Sequence, residues 1–140
     1  MSAQTVRDVM TADPVCLPST ATLVDAARHM SKRGIGDVFV ADDGRLTGIL
    51  TDRDIVVRSI AAGRDPSSTP VTDAASSPTA TLQPTDPIED AVRKMREHNV
   101  RRLPVLDADR EVGVVTLGDL AVERDPDSLL GEISRVRPNN

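Results

Sequence analysis

Shifted by 65 residues, the 140-residue chain lies on itself without a gap from Leu17 to Ile55. Leu17 falls on Leu82, Thr20 on Thr85, Leu23 on Ile88, Ala26 on Ala91, Met30 on Met95, Ile35 on Val100 and Val40 on Val105. The match ends on the stretches GILTDRD and GVVTLGD, which bring Gly48 onto Gly113, Thr51 onto Thr116 and Asp54 onto Asp119. A unit of about 60 residues buries too little surface to be comfortable alone, and two copies are fewer than a solenoid needs. The duplication therefore predicts two similar units packed about a pseudo-two-fold axis, each covering the face that the other cannot bury.

Both copies carry the same order of elements. Ile88, Ala91, Val92 and Met95 recur at helical period behind Asp86-Pro87-Ile88-Glu89, which offers a cap at Asp86, a proline at the first helical position and an acid three places after the cap. Leu23, Ala26, Ala27 and Met30 repeat the spacing in the first copy, with a cap expected between Ser19 and Thr22. Gly34 and Asn99 follow as stop signals, since both tolerate the left-handed conformation. Apolar runs at 38–40 and 46–50, and again at 103–106 and 112–115, flank short polar turns and predict hairpins, after which Asp54 and Asp119 open a second helix. The fold class is α/β (α+β), each repeat a small sheet packed against two helices. The expected boundaries are a first repeat at 5–62, a crossover at 63–70, a second repeat at 71–125 and a loose tail at 126–140. The small, polar and proline-rich stretch that joins the copies reads as a surface crossover.

Seventeen basic against twenty-two acidic residues give a net charge of -5, which argues against nucleic acid and anionic membrane as partners. Phe39 is the single aromatic residue, so base stacking has at most one participant. No window approaches eighteen uninterrupted apolar residues, and no basic-then-apolar leader opens the chain, which reads as cytoplasmic and soluble. One cysteine and two histidines supply no metal cluster. Cys16, opposite Thr81 in the repeat, reads as a buried strand residue, and His29 and His98 as helix-terminal residues favoured by the dipole. No nucleophile–base pair is visible, so the chain does not read as an enzyme.

Thr51 with Asp54, and Thr116 with Asp119, have the spacing of a capping box, which alone accounts for both pairs at about 0.5–2 kcal/mol each. The same geometry serves a ligand: a carboxylate just inside a helix start accepts hydrogen bonds from a ribose diol, while the hydroxyl and nearby N–H groups face phosphate. Both readings stand on the pattern. Gly48 and Gly113 mark places where backbone passes close to a ligand or to a neighbouring strand.

With GILTDRDIV, GVVTLGDLA and the segment Arg102-Leu103-Pro104-Val105, the chain resembles the tandem CBS (cystathionine-beta-synthase) domain pair, or Bateman module, of the small stand-alone actinobacterial kind. The resemblance covers roughly residues 5 to 125. It implies regulatory binding of AMP, ADP, ATP or S-adenosylmethionine, none of them required for folding, in clefts between the copies. One site would combine Thr116, Asp119 and Val100 to Leu103, including Arg101 and Arg102, with Asp13 to Leu17, including Val15 and Cys16. The other would combine Thr51, Asp54, Arg53 and Ile35 to Val38, including Asp37, with Pro78 to Thr81, including Thr79. It further implies a homodimer built through the helices, a regulated effector protein and a role in stress response. Arg101 and Arg102 suit phosphate, whereas Gly36 and Asp37 occupy their places in the first copy, so the Thr116/Asp119 site is expected to bind more tightly. Phe39 in place of Pro104 is expected either to alter the path of the first strand or to put a ring into the first cleft. A ligand-independent structural or protein-interaction dimer is one alternative reading. A nucleic-acid-binding stress protein, using Arg93, Lys94, Arg96, Arg101 and Arg102, is the other.

Overall fold

The computed structural model describes residues 5–124; the expected tail at 126–140 lies outside them. Two compact units emerge. One is formed by 15–77 and the other by 5–14 together with 78–124.

In the 15–77 unit, β1 (Cys16–Leu17) runs parallel to β2 (Asp37–Asp42), which pairs antiparallel with β3 (Arg45–Thr51). Helix α1 (Leu23–Arg33) packs Leu23, Ala26 and Met30 against Val38, Val40 and Leu50. Its cap is Thr22, within the expected window, and Gly34 ends it with φ 67°. Beyond β3, a short helix α2 (Asp52–Asp54) continues as a π-helical turn, Ile55–Ile60. Three consecutive β-branched residues, Ile55 to Val57, coincide with that widening and lower α-helical propensity.

The other unit repeats the plan with α3 (Ile88–His98), β4 (Arg102–Asp107), β5 (Arg110–Thr116) and α4 (Leu117–Arg124). Asn99 ends α3 with φ 52°, as expected. The cap does not form as read: Pro87 occupies the cap position, and the Asp86 carboxylate instead accepts the Gln83 N–H at 2.8 Å. Both hairpins turn through two left-handed residues, Asp43-Gly44 and Ala108-Asp109, the geometry that suits the twist of the flanking strands.

The repeat reaches further back than Leu17. Val6 and Val71 are 65 residues apart and both 0% exposed, the first opening a short helix (Val6–Val9) and the second a 3-10 turn (Val71–Asp73). Each is followed by a segment that pairs with a hairpin: the short strand Thr11–Ala12 lies antiparallel on β5, and Ser76 exchanges two backbone hydrogen bonds with Ile49 of β3. The joining stretch is therefore not wholly a surface crossover, since Val71 and Ala74 belong to the core of the 15–77 unit. Its small residues have a packing reason. A Cβ on Gly48 would stand 3.3 Å from the Ala75 Cβ and the Ser76 carbonyl oxygen, and one on Gly113 would stand 2.6 Å from the Met10 sulfur and 2.8 Å from the Thr11 carbonyl oxygen.

Three further expectations need correction. Cys16 is exposed, because on β1 it is Leu17 that points into the core and the neighbouring position must point away. His98 closes α3, but His29 lies a turn before the end of α1, with Lys32 and Arg33 closing that helix. Phe39 does not alter the strand path: Phe39 opposes Ile49 just as Pro104 opposes Val114, and both hairpins bulge one residue later. What proline removes is a donor. Phe39 N–H bonds the Val15 carbonyl at 2.8 Å, a bond Pro104 cannot make, and the parallel pairing ahead of β4 shrinks to the single bridge Leu82–Val105.

Gly113→Ala is expected to cost about 1–3 kcal/mol and Gly48→Ala clearly less, because only the former drives a methyl into backbone below 3.0 Å. Urea denaturation midpoints of the two variants check the order.

Candidate ligand-binding site

Each β-hairpin delivers its last residue, Thr51 or Thr116, directly to a helix start. Across the ladder, Thr51 opposes Asp37 and Thr116 opposes Arg102. One residue earlier the backbone reaches over: the Gly36 carbonyl accepts the Asp52 N–H at 2.9 Å, and the Arg101 carbonyl accepts the Leu117 N–H at 2.8 Å. These bonds satisfy a helix-initial donor and tie the segment before the strand to the start of the helix.

Both capping boxes close. Thr51 N–H donates to Asp54 Oδ2 at 2.9 Å and Asp54 N–H to Thr51 Oγ1 at 3.0 Å; the Thr116/Asp119 bonds are 2.9 and 3.1 Å. The same device closes at Thr22/Asp25, outside the repeated signature, with bonds of 3.0 and 3.2 Å. Capping is thus not peculiar to the repeated signature. What separates the caps at Thr22 and Thr116 is the state of the carboxylate. Asp25 is exposed, and the bonds from Thr22 hold its carboxyl below the ordinary value, aided by Arg28 and His29. At Asp119 burial outweighs the two bonds from Thr116 and pushes the carboxyl above the ordinary value of 3.8. A carboxylate partly removed from water is short of hydrogen-bond donors, and ligand hydroxyls supply them.

The copies differ around this shared frame. Arg58 Nε lies 3.9 Å from Asp54 Oδ1, and Asp52 Oδ1 accepts the Arg53 N–H at 2.8 Å. The corresponding positions in the second copy are Glu123 for Arg58, Leu117 for Asp52 and Gly118 for Arg53. The helix start beyond Thr51 therefore carries an extra acid and an arginine beside its capping aspartate, and the second copy has other residues at both places. Arg58 was not singled out in the sequence, although its i, i+4 spacing from Asp54 was the available signal.

The expected site residues fall by unit as follows. Thr51, Asp54, Arg53, Ile35, Asp37 and Val38 share the 15–77 unit with Val15 and Cys16; Thr116, Asp119, Arg101, Arg102 and Leu103 share the other with Thr79 and Thr81. Val38 and Leu103 are wholly buried in the two cores, so only their backbone is available to a ligand. Ile35 and Val15 pack against the first core, and Arg53 and Arg101 are exposed. The Thr81 carbonyl accepts Lys94 Nζ at 2.7 Å, and Thr79 is exposed. Among the described residues no three His, Cys, Asp or Glu side chains are grouped to hold a metal ion, and no helix is long and apolar enough to cross a membrane.

Two matches to the CBS domain model, over residues 6–60 and 68–124, coincide with the two copies of this frame. The chain belongs to the CBS domain family. It is 40% identical over 118 residues to hypoxic response protein 1 of Mycobacterium tuberculosis, a match covering 84% of this chain and 82% of the relative. The crystal structure of that protein with two coordinated zinc ions superposes with a TM-score of 0.76, covering 84% of this chain and 96% of the other. The CBS domain protein PAE2072 of Pyrobaculum aerophilum, complexed with AMP, is 32% identical with a TM-score of 0.77, covering 86% and 92%. The CBS domain pair of MJ0100, in complex with 5'-methylthioadenosine and S-adenosylmethionine, is 25% identical with a TM-score of 0.73, covering 86% and 94%.

A raised pKa in the folded state means that folding takes up a proton between 3.8 and the raised value, so the stability owed to Asp119 is greatest below 3.8 and falls as pH rises through that window. For Asp25 the sign reverses, with stability present above 3.8 and lost as pH falls through its lowered value. Urea unfolding across this range should therefore show wild type losing ground to Asp119→Asn as pH rises, and gaining ground on Asp25→Asn.

Proposed function

We propose that the protein is a regulatory sensor of an adenosine-containing ligand, such as AMP, ADP, ATP or S-adenosylmethionine, with Thr116 and Asp119 as the principal ligand-binding pair. One observation carries this reading: at the Thr116 cap burial holds the Asp119 carboxyl above its ordinary value, whereas the Thr22 cap holds that of Asp25 below it. A helix cap alone gives no reason to desolvate its acid, and Asp25 shows the same cap without that cost. Ribose hydroxyls donating to Asp119 Oδ1 would restore the lost hydrogen bonds, while Oδ2 goes on capping Thr116. The Arg101–Arg102 segment tied to this helix start supplies positive charge for phosphate. At Thr51/Asp54, Asp37, Asp52 and Arg58 have already partitioned the charge, and weaker binding follows there. The AMP complex of PAE2072 and the nucleoside complexes of MJ0100 support the ligand class.

The competing reading, a ligand-independent interaction dimer, draws on the capping geometry itself, since Thr22/Asp25 shows that a box can form without any ligand role. Nucleic-acid binding is disfavoured by the neutralisation of α3: Arg93 is shared between Asp90 and Glu97, and Lys94 is held by the Thr81 carbonyl.

Calorimetric titration with the four ligands at physiological ionic strength decides between sensor and dimer. The sensor reading expects saturable heat from at least one ligand, abolished in Asp119→Asn and reduced at most a few-fold in Asp54→Asn, with Asp119→Asn changing stability by under about 1 kcal/mol. Absence of heat from all four would leave the boxes as caps.

A homodimer accompanies the proposed role, through the turn that leaves Val56, Val57 and Ile60 each more than half exposed. Such a cluster is costly to leave in water. Sedimentation equilibrium should find wild type dimeric and Val57→Asp monomeric; equal masses would refute this surface. Signal passage to an effector protein would follow from any difference in ligand affinity between two states of that dimer.

A further inference from the structure

A cavity of about 450 Å³, lined by none of the Thr/Asp pair residues, lies between the loop that follows β1 and α1. Leu17, Pro18 and Ala21 give it an apolar part, and Thr20, Arg28, His29 and Lys32 a polar one. The volume is that of a small-metabolite site. Asp25 lines the same cavity, where Arg28 and His29 act on its charge, while its Oδ2 is committed to the Thr22 cap and, among the described residues, none of the three basic side chains has an acid within ion-pair distance.

The second copy provides the comparison. Arg28, His29 and Lys32 correspond to Arg93, Lys94 and Glu97. There Arg93 pairs with Asp90 at 3.4 Å and with Glu97 at 3.5 Å, while Lys94 is spent on the Thr81 carbonyl. Exchanging Glu97 for Lys32 removes the neutralising acid and adds a cation to the same helical face. The copies share a frame, yet in the first Lys32 stands where the second has an acid, beside a cavity lined in part by Leu17 and Ala21. With Arg28 and Lys32 set against Asp25, the lining carries a net positive charge that favours anions, and a guanidinium beside an ammonium matches paired anionic oxygens.

We propose that this cavity binds a small dianionic metabolite, a phosphate monoester or a dicarboxylate, with Arg28 and Lys32 holding the anionic oxygens and Thr20 donating a further hydrogen bond. The proposal is independent of adenosine binding at Asp119.

Nitrogen–proton correlation spectra of the full chain, titrated with inorganic phosphate, succinate and acetate at physiological ionic strength, test it. Phosphate or succinate should give saturating shifts in the amides of residues 20–21 and 28–32, and monoanionic acetate should not. Lower half-saturation by phosphate or by succinate identifies which source of the dianion fits. Lys32→Glu, which reinstates the acid found in the second copy, should weaken that binding about tenfold or more. Arg93→Gln and Asp119→Asn should leave it unchanged. Lys32→Gln serves as a second variant should the charge reversal disturb the helix. Shifts that fail to saturate, that acetate reproduces, or that both Lys32 variants retain would overturn the proposal and leave a solvated basic face.

Discussion

Where the chain leading into one repeat is laid on the hairpin of the other, there is no room for a side chain on the hairpin. At Gly113 the nearest backbone oxygen, that of Thr11, stands 2.8 Å from where a Cβ would be, and at Gly48 the Ser76 oxygen stands at 3.3 Å. The close approach allows Thr11–Ala12 to extend the ladder of β5, and Ser76 to exchange both backbone bonds with Ile49. It also fixes the far end of each hairpin, three residues beyond the glycine, where Thr51 and Thr116 turn the chain into a helix. The carbonyls of Gly36 and Arg101 then bond the first donor of that helix and complete a rigid corner. Glycine, threonine and aspartate at fixed spacing are thus successive parts of one backbone arrangement, and only its last member has chemistry to spare.

Much of this was legible because the signals were local. Helical period in Leu23, Ala26 and Met30, left-handed stops at Gly34 and Asn99, and apolar runs around short polar turns each depend on neighbours along the chain. The misreadings came from contacts between distant residues. Val71 and Ala74 look like members of a polar crossover, and nothing beside them in sequence announces that they complete a core. The earlier limit of the repeat was visible in Val6-x-Asp8 against Val71-x-Asp73, a match too short to weigh without the shared burial. Cys16 was assigned inward by its hydrophobic character, whereas its side is set by which of two adjacent residues the core claims. At the site, residue types identified the Thr/Asp pairs, but not the burial that distinguishes Asp119 from Asp25, because burial is a property of surroundings.

Duplication gives two copies of a frame and leaves each free to change its charges. In the first copy Asp37, Asp52 and Arg58 occupy the neighbourhood of Asp54, and Lys32 replaces an acid on α1. In the second, Arg101 and Arg102 lead into β4 while α3 is neutralised by its own ion pairs. Neither change touches the apolar positions that hold the two cores, so the fold persists while the surfaces offered to ligands diverge. The division of labour is electrostatic.

The central claim is that a nucleotide meets the corner at Thr116, and amide shift mapping with AMP tests it most directly. The account predicts the largest shifts at Thr116, Gly118 and Asp119, with smaller ones at Thr51 to Asp54. Shifts absent from both corners at saturating AMP would contradict it.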